Sequence, residues 1–365
     1  DLVRSIGFIM KNEMKFLKTS MDKKNTQIIQ AKDLLRKENN LRIYQTIQAG
    51  HTVVFPTETV YGIGADALNP NAVNHIFKAK GRPMDNPLII HIARKQDVYL
   101  YAKTVSLYAK KLMHVFWPGP LTLIFNKKPI VPLETTGGLQ TVAIRYPNHD
   151  IAKQVIKIAK KPIAAPSANI SGKPSSTKFK HVYDDLNGKV DIMIDGGDSN
   201  IGIESTVIDV TQPVPVILRP GYITKEMIEQ VLETHVFDAS HSNVTEHLKS
   251  PGMKYTHYKP KGEVIVLDGT PAQIKKFIKM DAVKGKKQAM ICSDENASYY
   301  DFIYTKALGS LTRLDLIAKH LFSTLREMDD LNIECIYVEK FPETHLGHAI
   351  MNRLFKASGY QIIKL

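Results

Sequence analysis

The run KGRPMDNP (residues 80–87) sets a lysine and an arginine two positions apart, on a turn between a short amphipathic helix and a β-branched strand. Before it, NAVNHIFKA (71–79) spaces Val73, Ile76 and Phe77 along one helical face, and Gly81 and Pro83 end the helix. After it, LIIHI (88–92) predicts a strand carrying His91. Helix, cationic turn and strand in direct succession point to an α/β arrangement with Lys80 and Arg82 held on a stiff corner. A planar guanidinium fits phosphate or carboxylate oxygens and an ammonium adds a compact charge, so the pair suits a polyanion such as a nucleoside triphosphate. A solvated basic helix end that complements the helix dipole is the alternative reading.

At 365 residues the chain exceeds one ordinary core, and its 43% hydrophobic content supports globular folding in two domains. The excess of 49 Lys and Arg over 36 Asp and Glu gives +13, which favours an anionic partner: nucleotide, RNA or membrane surface. The basic residues are scattered, and the one local run, KGKK (284–287), reads as a solvated loop. Two cysteines exclude a disulfide framework and any four-cysteine metal site. No apolar stretch approaches the ~18 residues that span a bilayer, and residues 1–20 lack a signal-peptide pattern, so a cytoplasmic enzyme without membrane attachment is expected.

In chain order, residues 27–49 carry Ile28, Leu34, Leu35, Leu41, Tyr44 and Ile47 at broadly helical spacing, with a break near Asn39 and Asn40. A strand over 52–55 then delivers Thr57, Glu58 and Thr59 into a hydroxyl-rich loop at a strand end, the usual place for ligand contacts, with turn capping as the alternative for Thr57 and Thr59. A helix over 98–115 leads to the rigid turn WPGP (117–120), whose Trp117 is expected to pack. On a strand over 141–145, Thr141, Ala143 and Arg145 share one face, from which Arg145 can clamp a carboxylate. The small-residue strand 163–165 ends in Pro166-Ser167-Ala168-Asn169, a hydroxyl and an amide that read polar groups. No histidine stands near Ser167 in sequence to activate it. The hydroxyl-rich SGKPSST (171–177) is expected to be a flexible loop.

Strands over 191–194, 206–210 and 215–218 and a helix over 224–234 complete a mixed α/β (α+β) domain on a large twisted sheet. Residues 236–261 have linker composition, with Tyr255, His257 and Tyr258 as unusual aromatic content. From 262 onward, strands (263–267, 288–292, 335–339, 361–364) alternate with helices (271–280, 314–328, 347–356), which predicts a smaller Rossmann-like α/β domain without a dinucleotide motif. The expected division is therefore an extension (1–25), a first domain (26–235), a linker (236–261) and a second domain (262–365). Met21 is the expected native start.

The 80–87 run stands in order with FPTETVYGIGADAL (55–68), WPGPLT (117–122), TVAIRYP (141–147), PIAAPSAN (162–169), GIEST (202–206), LRPG (218–221) and SPGMKYTHYKP (250–260). Together these resemble the two-domain members of the YrdC-like family, the threonylcarbamoyl-AMP synthases, over about residues 26–365. The resemblance implies a twisted mixed sheet with flanking helices and a concave basic face, with 236–261 lying over the site. It implies condensation of L-threonine, bicarbonate and ATP, with Mg2+, into threonylcarbamoyl-AMP and pyrophosphate. The product would pass to a separate tRNA threonylcarbamoyl transferase for N6-threonylcarbamoyladenosine formation in ANN-decoding tRNAs. By motif position it places Lys80, Arg82, Ser167 and Asn169 in catalysis. ATP would meet Arg82, Asn86, Thr141, Ser167, Ser175, Arg219, Tyr255 and His257; threonine would meet Thr59, His91, Arg145, Ala165 and Ser205. It gives no protein side chain as a metal ligand. Double-stranded RNA or tRNA binding without catalysis is the alternative function.

Overall fold

The computed structural model describes residues 24–240, 257–280 and 285–365; Met21, Lys284, Tyr255 and most of SPGMKYTHYKP lie outside them. Among the described residues the strands form two sheets. The larger takes β1 (Gln27–Gln30), β2 (Val53–Phe55), β3 (Gly62–Asp66), β4 (Ile89–His91), β5 (Leu121–Asn126), β6 (Thr141–Arg145), β7 (Ile163–Ala164), β8 (Ile192–Asp195), β9 (Thr206–Asp209), β10 (Val216–Arg219) and β11 (Phe237–Asp238). Their spatial order is β1-β8-β2-β3-β7-β4-β6-β5-β9-β10-β11, with parallel and antiparallel pairs mixed.

Alternation along the strands sends side chains to two cores. Val54, Ile63, Ile90, Leu123 and Ile144 pack with Val73, Ile76 and Phe77 of the helix Pro70–Lys80 and with Leu112. On the opposite face Val53, Phe55, Ile163 and Ile192 pack with Ile43, Ile47, Val155 and Ile156. The cationic corner forms as its residues dictate. Asn69 caps the helix by accepting from the amides of Asn71 and Ala72, Pro70 opens it, and Gly81 closes it in the left-handed region at φ 62°.

The second sheet takes β12 (Glu263–Asp268), β13 (Gln288–Cys292), β14 (Tyr304–Ala307), β15 (Cys335–Glu339) and β16 (Ile362–Lys364) in the order β14-β13-β15-β12-β16, every pairing parallel. The expected α/β alternation is present. The strand order, which no local pattern encodes, differs from the doubly wound 3-2-1-4-5 order. Its core of Ile317, Leu321, Phe322, Leu325, Ile336 and Ile350 also takes in Val60 and Ile203 of the first unit.

Several elements correct the sequence reading. Residues 27–30 form a strand, because Gln27–Gln30 pair in parallel with β8 and the helix starts only at Lys37. Gly62 and Gly64 lie in β3, antiparallel to β2, so the 57–60 segment is a turn between two strands. There a Cβ on Gly64 would come within 2.5 Å of Ile163 and 2.7 Å of Phe55, so glycine serves packing. The helix expected over 98–115 is two, Val98–Tyr101 and Leu107–Phe116, the second capped by Ser106. β14 gives no sequence signal, and β11 places residues 237 and 238 in the large sheet rather than in the linker.

Candidate active site

A cleft opens along the ends of β4, β6, β7 and β10 and the turn between β2 and β3. The structure brings Thr59, Arg82, His91, Arg145, Ala165, Ser167, Asn169, Ser175, Ser205, Arg219 and His257 together on its wall.

Arg145, at the end of β6 and 3% exposed, is fixed on three sides. Its Nη2 lies 2.7 Å from Glu58 Oε1, its Nη1 donates to Thr59 Oγ1 at 2.9 Å, and its Nε donates to the Gly119 carbonyl at 3.3 Å. Glu58 also accepts from the Asn148 amide at 3.0 Å. Burial pushes the Glu58 carboxyl up, but the Arg145 charge and these hydrogen bonds outweigh it and hold the pKa below the ordinary value. Thr57 closes the turn: its Oγ1 donates to the Val60 carbonyl at 2.6 Å and accepts from the amides of Thr59 and Val60. Thr57 is therefore a cap, while Thr59 faces the arginine.

Arg219 is buried at the end of β10. It donates through Nε to the Ser205 carbonyl at 3.0 Å and through Nη2 to Ser205 Oγ at 3.2 Å, and Thr122 shares a 2.8 Å hydrogen bond with that hydroxyl. Arg82 is half-buried and weakly held. Its Nη2 donates to the Pro87 carbonyl at 3.3 Å, and its Nε is sealed from solvent with no partner. Desolvation first, then the neighbouring Arg219, pull its pKa down to about 10, so it stays charged at neutral pH. Desolvation and the arginines also hold His91 and His257 down to about 3, so both are neutral. His91 Nδ1 stands 3.2 Å from the Ile89 carbonyl, whereas His257 presents a buried, unpartnered Nε2. Beside it, Tyr258 stacks on Phe322 of the second unit at 5.1 Å.

Three expected site residues are not on the wall. Lys80 is 1% exposed and lies behind it, its Nζ donating to the carbonyls of Ser167 and Asn169. Burial, then Arg82, push its pKa well down, and its ammonium holds the Ser167–Asn169 turn. Thr141 starts β6, and four residues at ~3.3 Å rise place it ~13 Å from Arg145 along the strand. Asn86 is buried with its Nδ2 unpartnered, off the cleft. Asn169 reaches the wall, but its Nδ2 is turned into the next loop, to the carbonyls of Ile170 and Lys173.

The loop expected to be flexible is fixed. Pro174, Ser175, Ser176 and Thr177 are buried, and Ser175 Oγ donates to Glu204 Oε1. Glu204 Oε2 accepts from Nε of Arg353, a fully buried residue of the helix Leu346–Ala357, at 3.1 Å. Glu58 and Glu204 stand inside the quoted motifs but read as turn residues; Arg353 has no local signal at all. Among the described residues no hydrogen bond joins Ser167 Oγ to a histidine. The site can bind and neutralise oxyanions but does not build an activated serine. Ser167→Ala is accordingly expected to cost less than about tenfold in turnover, since a neutral hydrogen bond is worth ~0.5–1.5 kcal/mol; steady-state pyrophosphate release measures it, and a larger loss would give Ser167 a chemical role.

The Sua5/YciO/YrdC family model, described as telomere recombination, matches residues 45–221, and a model described as threonylcarbamoyl-AMP synthase, C-terminal domain, matches 223–359. The chain is 48% identical over 320 residues to a threonylcarbamoyl-AMP synthase of Pyrococcus abyssi, covering 87% of this chain and 94% of that relative. To that of Bacillus subtilis it is 45% identical over 339 residues, covering 93% and 94%. A crystal structure of P. abyssi Sua5 complexed with L-threonine is similar throughout, with a TM-score of 0.86 at 45% identity, covering 93% of this chain and 99% of that one.

Proposed function

Because the chain belongs to the Sua5/YciO/YrdC family of threonylcarbamoyl-AMP synthases, we propose that this cleft condenses L-threonine, bicarbonate or CO2 and ATP into threonylcarbamoyl-AMP and pyrophosphate. The observation that carries the reading is a wall of three arginines, hydroxyls and neutral histidines with no activated nucleophile. Such a wall suits chemistry in which the substrates react with one another. The threonine amine attacks the carbon of CO2, loses its proton and gives a carbamate; a carbamate oxygen then attacks the α-phosphorus and pyrophosphate leaves.

In this reading Arg145 binds the threonine carboxylate, supported by Thr59, with His91, Ala165 and Ser205 around the amino acid. Arg82 and Arg219, with Ser167 and Ser175, face the phosphates and supply positioning and charge neutralisation. Mg2+ would enter with ATP, held by phosphate oxygens and water as this hard cation prefers. The Glu204 carboxylate is already taken by Ser175 and Arg353, and no three metal-capable side chains converge among the described residues. The labile product would be consumed by a separate tRNA threonylcarbamoyl transferase. A non-catalytic RNA-binding module is not favoured, because Arg145 and Arg219 are buried within a cleft. No helix among the described residues is long and apolar enough to cross a membrane.

The test is incubation with L-threonine, MgATP and labelled bicarbonate, following pyrophosphate and a labelled nucleotide adduct. Both signals, each lost when threonine or bicarbonate is omitted, are expected. Folded protein that binds ATP and yields neither would sink the proposal.

A further inference from the structure

The second unit reaches the cleft wall from behind. The helix Leu314–Asp330 approaches so closely that a Cβ on Gly202, at φ 83°, would stand 2.4 Å from the Lys319 Cα. From this helix Arg326 extends into the first unit. Its Nη2 and Nη1 donate to the two Asp185 carboxylate oxygens at 2.8 and 3.3 Å, and its Nε and Nη2 donate to the Pro174 carbonyl at 3.0 and 2.6 Å. Nη2 also lies 3.4 Å from Ser176 Oγ, which donates to the Ala168 carbonyl at 2.7 Å. Asp185 in turn accepts from the Ile170 amide and from Lys173 Nζ, each at 3.0 Å. The guanidinium therefore holds Pro174 and Ser176 directly and, through Asp185, is tied to Ile170 and Lys173, along loop 170–176, which follows Asn169 and carries Ser175 of the wall.

We propose that Arg326 is a positioning residue for nucleotide binding, through which the second unit sets the shape of the phosphate-facing wall without touching substrate. The inference rests on the reading that Ser167 and Ser175 face ATP. The loop carries Gly172 and three serines, a composition with no order of its own. Arg326 supplies that order before ligand arrives. Without it the nucleotide must freeze the loop, and the ordering entropy is subtracted from ATP binding. Among the described residues no hydrogen bond joins Arg145, Glu58 or Thr59 at the threonine end to Arg326, Asp185 or loop 170–176.

The experiment uses the full chain with Arg326→Gln and Arg326→Lys, measuring KM for each substrate, calorimetric ATP affinity without threonine, and thermal unfolding. A rise of about tenfold or more in ATP KM and Kd is expected for Arg326→Gln, with threonine KM within about twofold. Millimolar guanidinium should recover ATP affinity in Arg326→Ala, and ethylammonium should not, because only a planar fork spans Asp185 and Pro174. ATP KM and Kd within twofold of the parent in folded Arg326→Gln overturn the proposal, as does equal loss for both substrates. If Arg326→Gln does not fold, Arg326→Lys is judged by the same criteria; if that also fails to fold, Arg326 is a stability residue and the proposal falls. A parent chain that binds ATP without turnover refutes the synthase reading alone, since the ATP-affinity arm still decides this one.

Discussion

Arg82→Ala is expected to keep the fold, with an unfolding midpoint equal to or above that of the parent, and to lose turnover by more than about tenfold. The two effects have one cause. Arg219 lowers the tendency of Arg82 to stay charged, and among the described residues no carboxylate is bonded to Arg82. Its sealed Nε has no partner. A bound triphosphate relieves this repulsion between the two arginines as its charge redistributes during transfer. Deleting the side chain removes the repulsion and the stabilisation together, the usual trade between stability and function. Lys80→Met gives the contrast. It leaves the Ser167 and Asn169 carbonyls without their buried donor, at ~1–3 kcal/mol, so activity and unfolding midpoint should fall together. Pyrophosphate-release kinetics beside thermal melts separate the pair. Full turnover in folded Arg82→Ala would remove this arginine from the phosphate site.

How far the sequence leads is visible in these two neighbours. KGRPMDNP announces a cationic corner, and the helix, cap and glycine that build it are all local, so the corner is legible. Which cation lines the cleft is not, because that depends on where β7 and its turn run, and the turn lies over Lys80. The same limit explains the first strand. Ile28 and Leu34 fit a helical spacing, but pairing with β8, more than 160 residues away along the chain, overrides it. Loop 171–177 reads as mobile because Arg326, which anchors it, lies 152 residues from Pro174 along the chain. Glu58 was in plain view between two threonines, yet nothing in the spacing tells a carboxylate that aligns Arg145 from one that caps a turn.

Arg145→Ala should raise the threonine KM by about tenfold to a hundredfold, with ATP affinity within a few-fold of the parent, because a charge-assisted hydrogen bond contributes ~1.5–3 kcal/mol. Of the five guanidinium donors, Nε is spent on Gly119, one Nη1 proton on Thr59, and Nη2 faces Glu58. That leaves protons on both terminal nitrogens for an incoming carboxylate. The same substitution strands Glu58 as a buried, unpaired charge, which typically destabilises by ~3–5 kcal/mol. Arg145→Ala with Glu58→Gln should recover much of that stability but not the threonine affinity, and this split separates binding from folding. The pair also sets a pH limit. The Glu58 pKa is depressed in the folded chain, so its contribution is complete above its unfolded value near 4.5 and is lost as pH falls through the lower folded value. Melting curves from pH 7 down to pH 3 should therefore be shallower for Glu58→Gln in the acid range. A threonine KM unchanged in the folded double variant would show that the amino acid's carboxylate is held elsewhere.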